Sequence, residues 1–174
     1  MCIRDSLQGV KLHSQTDTEI AVQLIDKFSR ENNMSTFDAF RQMISLLDDN
    51  SAYGFLLMDN ETPDLLYAAK KKSPLLIGVA DQGNVVTSDA AAMLDVTQDF
   101  IELLDGDVAI IDKKAVRLFD VQGHEVTRES FHLDIDASET DKGVYPYYML
   151  KEIDEQVIVA HTLSQYYFDD NAQI

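Results

Sequence analysis

From residue 52 to residue 120 the sequence alternates short apolar runs with turn chemistry too closely for anything but antiparallel strands. The runs are 52–58, 65–69, 75–79, 85–87, 100–104, 108–112 and 116–120. Asp59-Asn60, Pro63-Asp64, Asp81-Gln82-Gly83-Asn84, Asp105-Gly106 and Lys113-Lys114 stand at or between their ends. Asn, Asp, Gly and Pro reverse a chain each for its own backbone reason. Parallel strands need crossovers of about a dozen residues or more, so these short links predict hairpins. The 52–58 run is almost continuously apolar, which predicts a strand covered on both faces. Ser88-Asp89 can cap a short helix through Leu94.

Helical periodicity brackets this region. Ile20, Leu24, Ile25 and Phe28 fall on one face of a helix running from about Asp17 to Arg30, broken at Glu31-Asn32-Asn33. Ser35, with Asp38 three residues on, opens a second helix whose predicted buried stripe is Phe37, Phe40, Ile44 and Leu47. Residues 125–145 read as irregular and polar. A last helix is predicted from about Tyr147 to Phe168, with Lys151 and Glu155 paired on its outer face. The fold class is therefore α+β, helices covering antiparallel sheet.

The first helix opens with Thr16-Asp17-Thr18-Glu19. Thr16 is placed to cap free backbone N–H groups, and Glu19 to reach back in a capping box. Asp17 falls in the first turn, where the positive end of the helix dipole favours a negative charge. Such a carboxylate can stabilise the helix, hold a ligand's ammonium group, or do both.

Charge narrows the partners. Over 174 residues there are 31 acids against 14 bases, a formal net charge of −17. Nucleic acid and anionic membrane surfaces need a basic face, so neither is expected as a partner. No apolar run approaches the length of a membrane span. The single cysteine, Cys2, leaves no internal disulfide and fits a reducing, cytoplasmic compartment. Residues 1–6 show no secretory apolar core and no periodicity that continues.

No other constellation predicts chemistry. His13, His124, His132 and His161 include no helical metal-site spacing, so no metal is expected. His132-Leu133-Asp134-Ile135-Asp136 alternates, and its polar residues read as one solvated strand face. Asp105-Gly106-Asp107 lacks the later ligands of a calcium loop and reads as a hairpin turn. Lys70-Lys71-Lys72-Ser73-Pro74 reads as a solvated turn. No Gly-rich phosphate loop is present, and no cofactor is expected.

Several segments together resemble one family. His13-Ser14-Gln15-Thr16-Asp17-Thr18-Glu19-Ile20 is similar to the SETDTEV segment of glutamine amidotransferases with an N-terminal cysteine nucleophile. Ser51-Ala52-Tyr53-Gly54-Phe55 resembles their GAYAL strand, and Thr87-Ser88-Asp89 their ASD. Lys71-Lys72-Ser73-Pro74-Leu75-Leu76-Ile77-Gly78 resembles KGSPLVIG, and Leu104-Asp105-Gly106-Asp107-Val108-Ala109 resembles LEDGDIA. Residues 142–156, with Met149-Leu150-Lys151-Glu152-Ile153, are similar to the segment leaving the glutaminase domain in the glutamine–fructose-6-phosphate aminotransferase (isomerizing) family. The resemblance covers residues 12–156 in the family's order; Val157 stands where the family usually has proline.

The resemblance implies part of an Ntn-hydrolase sandwich, antiparallel sheets between helix layers. It implies an enzyme moving the amide nitrogen of glutamine to fructose 6-phosphate, giving glucosamine 6-phosphate and glutamate. A cysteine nucleophile and an oxyanion hole do the glutaminase chemistry. Asp17 matches the aspartate that binds the α-ammonium of glutamine. Cys2 is followed by Ile3-Arg4 and precedes Asp17 by only fifteen residues. The nucleophile is therefore not carried onto Cys2, and no catalytic residue is assigned. The expected organisation is an unrelated leader at 1–8, a partial glutaminase domain at 9–145 and a linker helix at 146–174 leading towards a sugar-isomerase domain. The chain is expected to be an internal fragment, inactive alone, with homo-oligomerisation open. The alternative is a non-catalytic glutamine-sensing or interaction module on the same scaffold.

Overall fold

The protein is described here by a computed structural model covering Leu7, residues 9–134 and residues 142–168. These fall into two units, one within Met1–Ile135 and one within Asp136–Ile174.

In the first unit, α1 (Asp17–Asn32) buries Ala21, Leu24 and Ile25. It stops at Asn33, whose φ of 51° is left-handed, a conformation asparagine tolerates better than most residues. The predicted cap of α2 (Thr36–Ser45) is present: Ser35 accepts from the Asp38 amide and its hydroxyl donates to the Asp38 carboxylate at 2.7 Å. The buried face of α2 is Ala39, Phe40 and Met43, with Phe37, Ile44 and Leu47 at its margin. Small Ala39 lets the helix sit closer than the predicted stripe of large residues implied.

Nine strands make two antiparallel sheets among the described residues. The larger has the order β1 (Tyr53–Met58), β2 (Leu66–Lys71), β6 (Val108–Ile111), β7 (Val116–Phe119), β8 (Glu125–Val126). The smaller has the order β4 (Val85–Thr87), β3 (Leu76–Gly78), β5 (Asp99–Glu102), β9 (Ser130–His132). Strand β2 shows how the layers stack. Tyr67 and Ala69 point to the helices and join Leu24, Phe40 and Met43 in one core. Ala68 points the other way and joins Ile77, Leu103 and Leu118 in a second core between the sheets. A period of two thus serves two cores at once. A single 3-10 turn, Ala90–Met93, stands where the short helix was predicted, with Asp89 capping the Ala91 amide.

Three expectations are corrected. Asp105-Gly106 is a turn, closed by the Asp107 amide donating to the Leu104 carbonyl at 3.0 Å, but it is no hairpin. It carries the chain from β5 in the smaller sheet to β6 in the larger. Residues 72–75 likewise cross from β2 to β3. Local turn chemistry sets a reversal without saying which sheet receives the next strand. Second, the 125–145 stretch holds β8 and β9, whose strands of two and three residues are too short to show periodicity. Third, β1 is covered on one face. Leu56 and Met58 share a face with Ala68 and Leu66, yet remain 52% and 70% exposed. The smaller sheet does not reach over them.

The second unit contains α3 (Tyr148–Tyr167), close to its predicted bounds, with Lys151 and Glu155 paired at 3.7 Å. Its apolar residues Ile153, Val157 and Leu163 are exposed.

No described strand pairs with the outer edge of β1, and its sequence contains no charge or proline to discourage pairing. Self-association that rises with concentration is expected in sedimentation velocity, and Leu56→Lys together with Met58→Lys should reduce it. A parent chain that stays monomeric over the whole concentration range would contradict this.

Candidate functional site

The start of α1 differs from a capping box. Thr16 has the extended backbone of a cap (φ −81°, ψ 143°), but its side chain makes no capping bond. Its hydroxyl instead pairs with the Ser14 hydroxyl at 2.8 Å. Glu19 reaches past Thr16 and accepts from the backbone amides of His13 and Ser14 at 2.7 and 2.6 Å, and from the Ser14 hydroxyl at 2.5 Å. Three donors converge on one carboxylate. The Ser14 hydroxyl first, then the His13 amide, hold Glu19 below the ordinary carboxylate value, against a smaller opposing effect of burial. The loop before the helix is thereby tied to its first turn.

Asp17 is left free by this arrangement. Its Oδ1 accepts from the Thr18 amide at 2.9 Å and the residue is exposed. A carboxylate fixed at one oxygen by its neighbour's amide, at the positive end of a helix, can present the other oxygen to an ammonium group. Sequence reasoning found Asp17 and Glu19 as a pair. It missed that Glu19 works on the preceding loop, a choice that Ser14, with both an amide and a hydroxyl to donate, makes favourable.

The other sequence candidates are placed as follows. The lysine run is not merely solvated: Lys70 Nζ meets Asp105 at 2.8 Å, the Lys72 amide donates to the same Asp105 oxygen at 2.9 Å, and Lys71 reaches Asp49 at 3.3 Å. Asp107, 2% exposed, accepts from the Leu104 amide and takes the Arg128 guanidinium in a two-bond clasp at 2.9 and 3.1 Å. Sequence reasoning missed this pair; the signal was a carboxylate set between apolar Leu103 and Val108. His132 Nδ1 lies 2.8 Å from Asp99 Oδ1, both exposed, at the edge of a cleft of about 770 Å³ that Lys113 and Lys114 also line. His124 lies 3.4 Å from Asp120. Among the described residues no three His, Cys, Asp or Glu side chains gather as a metal site. Cys2, Ile135 and Asp136 lie outside the described residues.

No family model matches the chain. Curated relatives do. Glutamine–fructose-6-phosphate aminotransferase (isomerizing) of Lactiplantibacillus plantarum is 54% identical over 164 residues, 94% of this chain and 27% of the relative. The enzymes of the same name from Geobacillus kaustophilus and Bacillus cereus are each 46% identical, over 100% and 98% of the chain. The chain thus spans about 28% of the length of these relatives. Among solved structures, glutamine phosphoribosylpyrophosphate amidotransferase from B. subtilis, complexed with ADP and GMP, matches 68% of this chain and 26% of its own at a TM-score of 0.57 and 24% identity. That likeness establishes the fold as the amidotransferase sandwich, in part.

Because Glu19 is held below its ordinary value, its contribution is complete above the ordinary carboxylate range and is lost as pH falls through the lowered value. Glu19→Gln should therefore lower the melting temperature at neutral pH, and the gap to the parent should close on acidification. Hydrogen exchange of the His13 and Ser14 amides should show the same convergence; a gap independent of pH would count against it.

Proposed function

We propose that this chain is the glutamine-handling part of a glutamine–fructose-6-phosphate aminotransferase, with Asp17 as its contact for the α-ammonium of glutamine. The 54% identity to the Lactiplantibacillus plantarum enzyme over 94% of the chain carries this reading. The position of Asp17 supports its role: exposed at a helix start, and held by the Thr18 amide. In this reading residues 9–145 are glutaminase domain and 146–174 a linker helix, in keeping with α3 lying in a separate unit. The sugar phosphate is bound by other parts of the whole enzyme, which works in the cytoplasm; no helix among the described residues is long and apolar enough to cross a membrane.

What this chain can do for the reaction is binding and orientation. Glutamine presents an ammonium, a carboxylate and the amide to be cleaved. Asp17 accepts the ammonium, which places the side-chain amide at a fixed distance along the substrate. No proton transfer or bond cleavage is assigned to a described residue. The Glu19 anchor keeps the loop and the first turn of α1 in register, so Asp17 meets the ligand without first ordering the backbone.

The test replaces the matched segment of the Lactiplantibacillus plantarum enzyme with residues 12–156 of this chain. Glutamine-dependent formation of glucosamine 6-phosphate should be retained. Asp17→Asn in that chimera should raise KM for glutamine about 10- to 100-fold, the loss of one charged hydrogen bond of about 1.5–3 kcal/mol. KM for fructose 6-phosphate should not move. A folded chimera with no activity, or one indifferent to Asp17→Asn, overturns the proposal. The chain by itself should give no calorimetric heat with glutamine, because one exposed ion pair is worth about 0–1 kcal/mol.

A further inference from the structure

A cleft of about 260 Å³ opens between α2 and the strand ends of the larger sheet, away from Asp17. Arg41, Tyr53, Lys71, Asp49, Asp105 and Asp120 give it its polar lining. The three carboxylates are already engaged. Asp49 holds Lys71 at 3.3 Å, Asp105 holds Lys70 at 2.8 Å, and Asp120 accepts the His124 amide at 2.9 Å. Two groups are not. The Arg41 guanidinium makes no hydrogen bond or ion pair among the described residues, and neither does the Tyr53 hydroxyl. Tyr53 is 9% exposed, and burial together with the nearby Asp105 carboxylate raises its phenol above the ordinary tyrosine value. No unsatisfied polar side-chain atom is sealed from solvent among the described residues, so the phenol oxygen keeps an opening, and the cleft it lines supplies one.

Arg41 is held in place. Its guanidinium lies 5.8 Å from the centre of the Phe37 ring, one helical turn earlier on α2. It also lies close to the backbone of Gly123, where an added Cβ would lie 1.9 Å from Nη2. Any other residue at 123 would push the guanidinium away. The φ of +88° there also favours glycine, so one residue satisfies the turn and the close approach together.

We propose that this cleft is a binding site for a small oxyanion, a carboxylate or a phosphate, held by Arg41 and Tyr53. The guanidinium can only donate, so a ligand held by it must bring acceptors, and the Tyr53 hydroxyl can donate to the same ligand. The planar fork of arginine matches two oxygens of a carboxylate or phosphate, and a pre-positioned fork loses little freedom on binding. The net charge of −17 works against random anion uptake, so saturable binding reports these local groups. The site does not rest on the role given to Asp17, which does not line it.

The test titrates the full chain with inorganic phosphate and, separately, with acetate at constant ionic strength, chloride being the control. Saturable binding of either anion is expected; the tighter of the two identifies the ligand's acid group. Arg41→Gln should weaken it at least tenfold. Arg41→Lys should weaken it several-fold, since an ammonium cannot span two oxygens, and Tyr53→Phe should do so about threefold or more. Tyrosine absorbance, with Tyr53→Phe as reference, should show Tyr53 ionising at higher pH with the anion bound, because a second negative charge opposes phenolate. No saturable binding, binding unchanged in Arg41→Gln, or a Tyr53 titration indifferent to the anion would each overturn the proposal. The conservative variants keep the charge of Arg41 and the ring of Tyr53, and an unchanged melting temperature in each variant separates a lost site from a lost fold.

Discussion

Three chain crossings join the sheets, β2 to β3, β5 to β6 and β8 to β9, and one carboxylate ties the first two together. Asp105 sits in the passage from β5 to β6, yet its partners are Lys70 Nζ, near the end of β2, and the Lys72 amide, which opens the passage from β2 to β3. The backbone adds a second stitch: the Gly106 amide donates to the Lys70 carbonyl at 2.8 Å. The Lys70 hydrogen bond first, then the Lys72 amide, hold Asp105 below the ordinary carboxylate value. The Lys70 side chain is 13% exposed and that of Asp105 51%, so this pair is only partly shielded from solvent. Two residues on, Asp107 clasps Arg128 from the segment leading to β9. Two acids separated by one glycine thus pin the β2–β3 crossing and the approach to the last strand of the smaller sheet. The face-to-face packing of Ala68 and Ala109 on Ile77 and Leu103 follows from where these crossings hold the two sheets.

How much of this the sequence disclosed depends on the range of the interaction. Elements set by local periodicity were legible: α1, α2, α3 and strands such as Val85–Thr87 lie where apolar spacing and caps put them. The crossings were not. Asp-Gly at 105–106 reads as a hairpin because its backbone does reverse, with Gly106 at φ +88°. Sheet membership depends on Lys70, which is 35 residues away. The same limit explains β1. Its apolar run predicts two covered faces, but coverage is a property of the neighbouring layer, and the smaller sheet stops short of Leu56 and Met58.

At the site, residue types were legible and their partners less so. Thr-Asp-Thr-Glu announces a helix start, and α1 begins at Asp17. The capping box failed because Glu19 had a better offer nearby: two amides and a hydroxyl from His13 and Ser14, against a single amide at the cap. The outcome suits a ligand contact better than a capping box would, since the anchoring load falls on Glu19 and Asp17 stays open to solvent. The Arg41 cleft left a weaker trace. Phe37 and Arg41 are a legible pair at helical spacing. Gly123 looks like a turn glycine and nothing more until the guanidinium is seen lying against it.

The charge balance ties these observations together. With 14 bases for 31 acids, cations are scarce, and the fold places several of them at its long-range joints. Lys70 serves the crossings, Lys71 joins β2 to Asp49, and Arg128 reaches Asp107. The excess acids lie mostly on solvated surface, where salt screens them within about 8–10 Å and their mutual repulsion costs little. Among the described arginines, Arg30, Arg117 and Arg128 each meet a carboxylate, and Arg41 does not. Asp120 and Asp49 line the same cleft, and neither takes Arg41 as a partner. A guanidinium that only stabilised the fold would be expected to take the nearest carboxylate. Arg41 lies near the Phe37 ring and the Gly123 backbone instead, which leaves its fork for an acceptor from outside.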